Sequence, residues 1–319
     1  MQPQDQFVAA REPRWLELET LLSTDARLHE LAPSSISRFA ALYRSVCADL
    51  MRARSSGYDT ELVAHLDGLA ARAHNELYGA RPVQLRALWG FVARTFPRTL
   101  RAHAGFFGLA CALFLVPLAL TLTATLLDPE VALAILPRGS LEASAASYAE
   151  GLQGRESGLD AMMAGFYVRN NVGVAFRCFA TGALFGLGSV FFLVYNGAVI
   201  GATIGWVIAQ GHGRNILTFI CGHAPFELTA ICIAGGAGLQ LGYALVRTRG
   251  RTRLGSLQAS APAVGTIVGG AAIMLVIAAG IEGFWSPSAA LAEIKWAVAG
   301  LLTISVALYL ALAGRGGRA

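Results

Sequence analysis

The sequence predicts an all-α chain: a polytopic membrane helical bundle of about six spans, one of them a broken helix, preceded by a cytoplasmic helical domain. Three observations predict it. Of the 319 residues 55% are hydrophobic and only 14% charged, against roughly 25% charged in an ordinary soluble domain, and the mean hydropathy is +0.54. The charge is also uneven, because residues 1–103 carry 13 Arg and 11 acids, 24 of the 45 charges in the chain. Beyond residue 104, several apolar stretches reach the roughly 20 residues that cross about 30 Å of hydrocarbon. The reading is a domain over 1–103 and a membrane domain over 104–319.

The amino-terminal domain is expected to hold three or four amphipathic helices. Trp15, Leu16, Leu18, Leu21 and Leu22 are the apolar part of the first, and Ile36, Phe39, Tyr43, Val46 and Leu50 share one helical face in the second. Thr60 is placed to cap a third, which carries Leu62, Leu66, Leu69 and Leu77 after the Ser-Ser-Gly turn at 55–57. The stretch 81–101 has five Arg, no acid, and interleaved Trp89, Phe91 and Phe96. This pattern suits a basic helix on the inner membrane surface.

Six spans are drawn at about 104–127, 172–194, 197–210, 216–246, 262–281 and 296–313. Tyr195-Asn196-Gly197 is read as the turn between the second and third, and the third is short for a straight crossing. Arg residues before the first span, in the 247–253 loop and at Arg315 and Arg318 mark the cytoplasmic side, while the acid-rich segment 128–169 and the 283–295 connection fit outside. Both termini are then cytoplasmic, in a multi-pass protein of a bacterial inner membrane. Membrane orientation accounts for the basic balance, so no nucleic-acid partner is expected. The first hundred residues have no apolar core of signal-peptide length. The five cysteines form no CxxC, and four lie in apolar segments as small buried hydrophobes.

The fourth span holds Cys221-Gly222-His223-Ala224-Pro225-Phe226-Glu227. Pro225 removes a backbone donor and Gly222 loosens the turn before it, so the helix is expected to break here. Ionisable groups in a span cost roughly 2.5–3.5 kcal/mol each and are functional candidates by default. The candidate polar site is therefore His223, Glu227, Arg177, Asn170, Asn171 and Asn196, with Arg177 a countercharge for Glu227. A satisfied pair that only fixes helix packing stands beside that reading. Gly182 and Gly186, then Gly197 and Gly201, form small-xxx-small faces that serve either packing within one chain or a homodimer seam. Glu282, Ser286 and Pro287 close span five, where Glu282 either solvates the helix end or takes part in transport.

Enzyme chemistry is argued down. Cys221, His223 and Glu227 could gather around an ion, but the second His and water-activating base of a metalloprotease are missing. No catalytic residue, metal or cofactor is assigned. Walker and dinucleotide signatures are absent, since Gly235-Gly236-Ala237-Gly238 sits inside a span.

Asn170-Asn171 with Phe176 and Phe179, Phe185-Gly186, Asn196-Gly197, His-x-x-x-Glu, the Gly-rich run through Gly242 and Ile-Glu-Gly-Phe-x-Ser-Pro together resemble the stage II sporulation protein M family. The resemblance covers roughly 100–313. The start, with Phe7, Arg11, Trp15 and Leu18, is similar to the family's longer members. One departure is Ala224, where Gly is expected after the His. The resemblance implies a membrane scaffold, known in sporulation beside two peptidoglycan-degrading enzymes. In the longer members it implies association with a MoxR-type AAA+ ATPase and other membrane proteins.

The expected function is thus a non-enzymatic inner-membrane scaffold or assembly factor linked to the cell envelope. Its partners would be the lipid bilayer and other membrane or envelope proteins, with Leu141, Tyr148 and Leu152 of the outer segment available for docking. The alternative is a transporter or channel for a small solute, ion or proton, with its site at the broken fourth helix.

Overall fold

The computed structural model describes residues 3–23, 33–78, 85–149 and 171–315. They fall into two compact units, 1–84 and 85–319. The described residues are helical with no strand.

In the first unit, α1 (Gln4–Ser23), α2 (Pro33–Ser56) and α3 (Thr60–Tyr78) enclose their own core. Phe7, Trp15, Leu18, Phe39, Val46, Leu66 and Leu69 are buried there, which follows the apolar stripes in the sequence; Leu16, by contrast, faces outward. Asp49 enters this core because Trp15 Nε1 donates to its carboxylate at 3.0 Å and Arg11 Nε lies 3.6 Å away.

The second unit begins earlier than expected. α4 (Leu85–Gly90) continues through a π-helical turn, Phe91–Thr95, into α5 (Phe96–Ala102). Leu85 and Trp89 are exposed, but Phe96 and Leu100 are buried against the membrane helices. The Phe96 ring lies where a side chain at Gly270 would stand. The boundary thus falls at 84/85 rather than 103/104.

The bundle consists of α6 (Ala104–Leu127), α7 (Arg138–Ala149), α8 (171–180), α9 (Leu187–Val207), α10 (Gly213–Ile220), α11 (Ala224–Val246), α12 (Arg253–Gly280) and α13 (Ala292–Leu312). Among the described residues five helical stretches, not six, are long and apolar enough to cross a membrane: 104–127, 187–220, 224–246, 253–285 and 292–312.

The difference lies in the predicted spans 172–194 and 197–210. The break comes at Phe185 (φ 55°) and Gly186 (φ 86°), and α9 then runs without interruption through Tyr195-Asn196-Gly197. Gly186 accepts the left-handed conformation at no steric cost. Gly197 is not a turn residue, because its face lies directly on the Phe114 carbonyl. The next bend is a π-helical turn, Ile208–His212, where Gly211 has φ 90°.

Small residues set the packing. α9 runs parallel to α6, with Gly197, Gly201 and Gly205 against Phe114, Leu118 and Thr125. α11 runs antiparallel to α9, with Gly235, Gly238 and Gly242 against Leu193, Ser189 and Gly186, and Gly182 also lies on Gly238. Such approaches are how helices gain dispersion contact where lipid is as apolar as the side chains. The Gly182, Gly186, Gly197 and Gly201 faces are thus used for packing inside the chain.

One end of the bundle gathers Arg. Arg101 donates to the Leu310 and Ala313 carbonyls at 2.7 and 2.6 Å, and Arg98 bonds to Gly314. Arg253 lies 5.5 Å over the Phe185 ring. Residues 98–101 and 310–314 therefore lie at the same end of the bundle. At the opposite end Leu141 is fully buried with Trp206, Val207 and Ile216, and Tyr148 packs against that cluster. Leu141 is part of the core there, and Tyr148 is half-buried against it. Leu152 lies outside the described residues.

Candidate functional site

The predicted fourth span is two helices. α10 ends at Ile220, and α11 starts at Ala224 with Pro225 in its first turn, where a missing N–H costs nothing. His223 sits at the junction and Glu227 one turn into α11, where the helix N-terminus favours negative charge. Their side chains share a face, with Nε2 3.8 Å from Glu227 Oε2.

Glu282 completes the group. α12 changes into a π-helical turn, Ile281–Trp285, and this wider turn carries Glu282 inward until it is only 7% exposed. Its Oε1 lies 3.9 Å from His223 Nε2. Ligand atoms of His223, Glu227 and Glu282 all lie within 4.8 Å of one another. Glu282 is therefore not a solvating residue at the helix end.

A surrounding shell holds these groups. Asn171 Nδ2 donates to Glu282 Oε2 at 3.2 Å, and His223 Nδ1 meets Ser286 Oγ at 3.1 Å. Lys295 Nζ donates to the Ser286 and Ser288 carbonyls at 2.7 and 2.8 Å, fixing the turn that bears Ser286. Pro287 lies within that turn.

The group lines a cavity of about 540 Å³. α7 contributes Ser144, Ser147 and Tyr148 at the end away from the Arg residues, and α9 contributes Asn196 and Thr203 to one wall. Arg177 and Asn171 line the α8 side. Leu228 and Ile231 of α11 also line the cavity, and further along α11 packs onto α9 through its glycines.

Most of the predicted polar residues therefore meet. His223, Glu227, Arg177, Asn171 and Asn196 all face one space, while Asn170 lies outside the described residues. Two expectations change. The ion-pair partner of Glu227 among the described residues is His223, not Arg177, which is exposed on α8. Cys221 turns its Sγ to the Thr218 and Lys295 carbonyls, so Glu282 takes the third place. Gly222 is packed under Trp285, whose ring would be 3.1 Å from an added Cβ. The role of Glu282 was not legible from local sequence, although an acid beside Gly280 and Gly283 in an apolar helix was a signal.

Comparison with known proteins agrees with this architecture. The model of a domain of unknown function (DUF8413) matches residues 5–79, close to the three-helix unit. No curated protein and no solved structure matches the chain. The family model for Stage II sporulation protein M matches residues 106–287, a stretch that contains every described side chain of the polar cluster and more than half of the chain. The chain belongs to the Stage II sporulation protein M family of membrane proteins.

Proposed function

We propose that this membrane protein moves a small cation through the polar cavity, with the Arg-rich end cytoplasmic and the cavity reached from outside. One observation carries this reading. A space large enough for hydrated ions leads to buried carboxylates that, among the described residues, no Lys or Arg side chain pairs with. An Arg-Glu pair closing that space would have favoured a purely structural role; instead Arg177 leaves Glu227 open to the cavity. Buried acids at a helix break are the usual sequence and structural mark of an ion pathway. The glycine seam further along α11 fits a state open to one side only.

The test is cation flux into liposomes containing the full chain, set against Glu227→Gln. Flux in the wild type that the substitution abolishes, with the solubilised protein still monodisperse, supports the reading. Absence of flux across a panel of monovalent and divalent cations would overturn it.

A scaffold role for the amino-terminal unit is the second reading, favoured by its own enclosed core and its own family match. Under it, α1–α3 engage a cytoplasmic partner, by family analogy a MoxR-type AAA+ ATPase, without catalysis by this chain. Pull-downs with the intact protein and with a chain lacking residues 1–80 should then return different partner sets. Identical sets would refute it.

A further inference from the structure

The distances within the polar cluster carry a more specific conclusion. His223 is 5% exposed, and among the described residues its Nε2 makes no hydrogen bond: the carboxylate oxygens of Glu227 and Glu282 stand at 3.8 and 3.9 Å. Groups that shared a proton directly would lie at about 2.5–3.2 Å. Around an ion with bonds of roughly 2.0–2.2 Å, by contrast, tetrahedral ligand atoms sit about 3.3–3.6 Å apart. The two histidine–carboxylate spacings are nearer the second case and need only a few tenths of an ångström of contraction, while the two carboxylates, with all three ligand atoms within 4.8 Å of one another, would draw together by about 1 Å around the ion.

The surrounding hydrogen bonds point the same way, and they are independent of that spacing. Ser286 Oγ takes up His223 Nδ1 and Nε2 faces both carboxylates; with Nδ1 donating to Ser286, the tautomer that metal binding requires, the Nε2 lone pair is the free one. Asn171 holds Glu282 Oε2, which turns Oε1 inward. Histidines and carboxylates that bind metals are held in this way through their outer atoms. The charge also balances, since two carboxylates and a neutral imidazole carry −2 and a divalent cation cancels it within the low-dielectric interior.

We propose that His223, Glu227 and Glu282 bind one divalent first-row transition cation, of the Zn²⁺ or Mn²⁺ class, where they line the cavity. The imidazole nitrogen favours these ions over Mg²⁺ and Ca²⁺, and three protein ligands are too few for the six to eight oxygens that Ca²⁺ takes. The remaining coordination positions face the cavity, where water completes the shell. This deepens the transport reading by naming its cation and rests on the same cavity.

The experiment uses the purified full chain in detergent, stripped with chelator and titrated with Zn²⁺, Mn²⁺, Mg²⁺ and Ca²⁺ separately. Bound metal is measured by mass spectrometry and calorimetry. One equivalent of Zn²⁺ or Mn²⁺ is expected, with neither Mg²⁺ nor Ca²⁺ bound at the same concentration. Glu227→Gln and Glu282→Gln should lose the site, and Asn171→Ala and Ser286→Ala should weaken it about 10- to 100-fold. The latter pair serves even where loss of a buried carboxylate prevents folding.

A wild-type chain that retains only substoichiometric metal overturns the proposal, as do folded variants that bind like the wild type. Stoichiometric binding without flux in liposomes leaves the site standing and removes the transport reading. Flux of some cation by a chain that binds no transition metal does the reverse.

Discussion

Asn171 and Glu282, 111 residues apart in sequence, meet through a 3.2 Å hydrogen bond from Nδ2 to Oε2, and this contact ties α8 to the turn that ends α12. It is the junction on which the polar cluster is assembled. It holds the Asn171 end of α8 and the end of α12 together beside His223.

The glycine seam along α11 is tightly constrained. An added Cβ at Gly238 would lie 2.6 Å from the Cys178 carbonyl oxygen and 2.8 Å from that of Phe179, and neither backbone can give way easily. Gly238→Val should cost at least the roughly 1–3 kcal/mol of an overpacked core. Detergent melting curves should show it, while Gly265→Ala, with nothing within 4 Å, should melt as the wild type or slightly higher.

Arg101 holds the end of α13 through two carbonyls, Leu310 and Ala313. Arg101→Ala should cost about 1–2 kcal/mol, from the lost bonds and from the cation opposite the helix C-terminus. Lys offers no planar fork to span both acceptors, so Arg101→Lys should recover only part of it. Hydrogen exchange at residues 309–313 is the readout, and unchanged protection there would contradict the assignment.

In the amino-terminal unit, Asp49 is 2% exposed and accepts from Trp15 Nε1. Asp49→Ala leaves that indole N–H unpaired in the core, at about 1–3 kcal/mol. Faster hydrogen exchange in α1 and α2, with α9 and α11 unaffected, is the expected pattern.

Glu17 is held below its ordinary value of 4.5 chiefly by its hydrogen bond from the Arg38 guanidinium. A depressed carboxyl contributes stability that is fully present above about pH 4.5 and is lost as pH falls through the lower, folded value. Because the pair is exposed, the effect should be small and should shrink further in high salt. The difference in melting temperature between wild type and Arg38→Ala should therefore narrow on acidification, and a difference that widened would contradict the pairing.

Hydropathy located the helices well where a span was a single uninterrupted helix, as at α6 and α13. It failed at Phe185-Gly186, because a break flanked by Thr181-Gly182-Ala183 and Leu184 carries no charged residue or proline to mark it. Tyr195-Asn196-Gly197 misled in the opposite direction: Asn196 bonds back to the Phe192 carbonyl, so a sequence that suits a turn stays helical. The break at Cys221–His223 was legible because Pro225 has a local backbone consequence. The partners of Glu282 were not, since tertiary pairing between α8, α11 and α12 leaves no periodic trace in any one helix.

The most direct test of the account is the side from which the cavity is reached. In a chain whose native cysteines are replaced, Thr203→Cys and Asn196→Cys should react with a membrane-impermeant maleimide in intact spheroplasts. Leu193→Cys, fully buried on the α11 seam, should not react. Labelling of Thr203→Cys and Asn196→Cys from outside, and not in inverted vesicles, is the predicted result; labelling only in inverted vesicles, or of neither residue from either side, would contradict it.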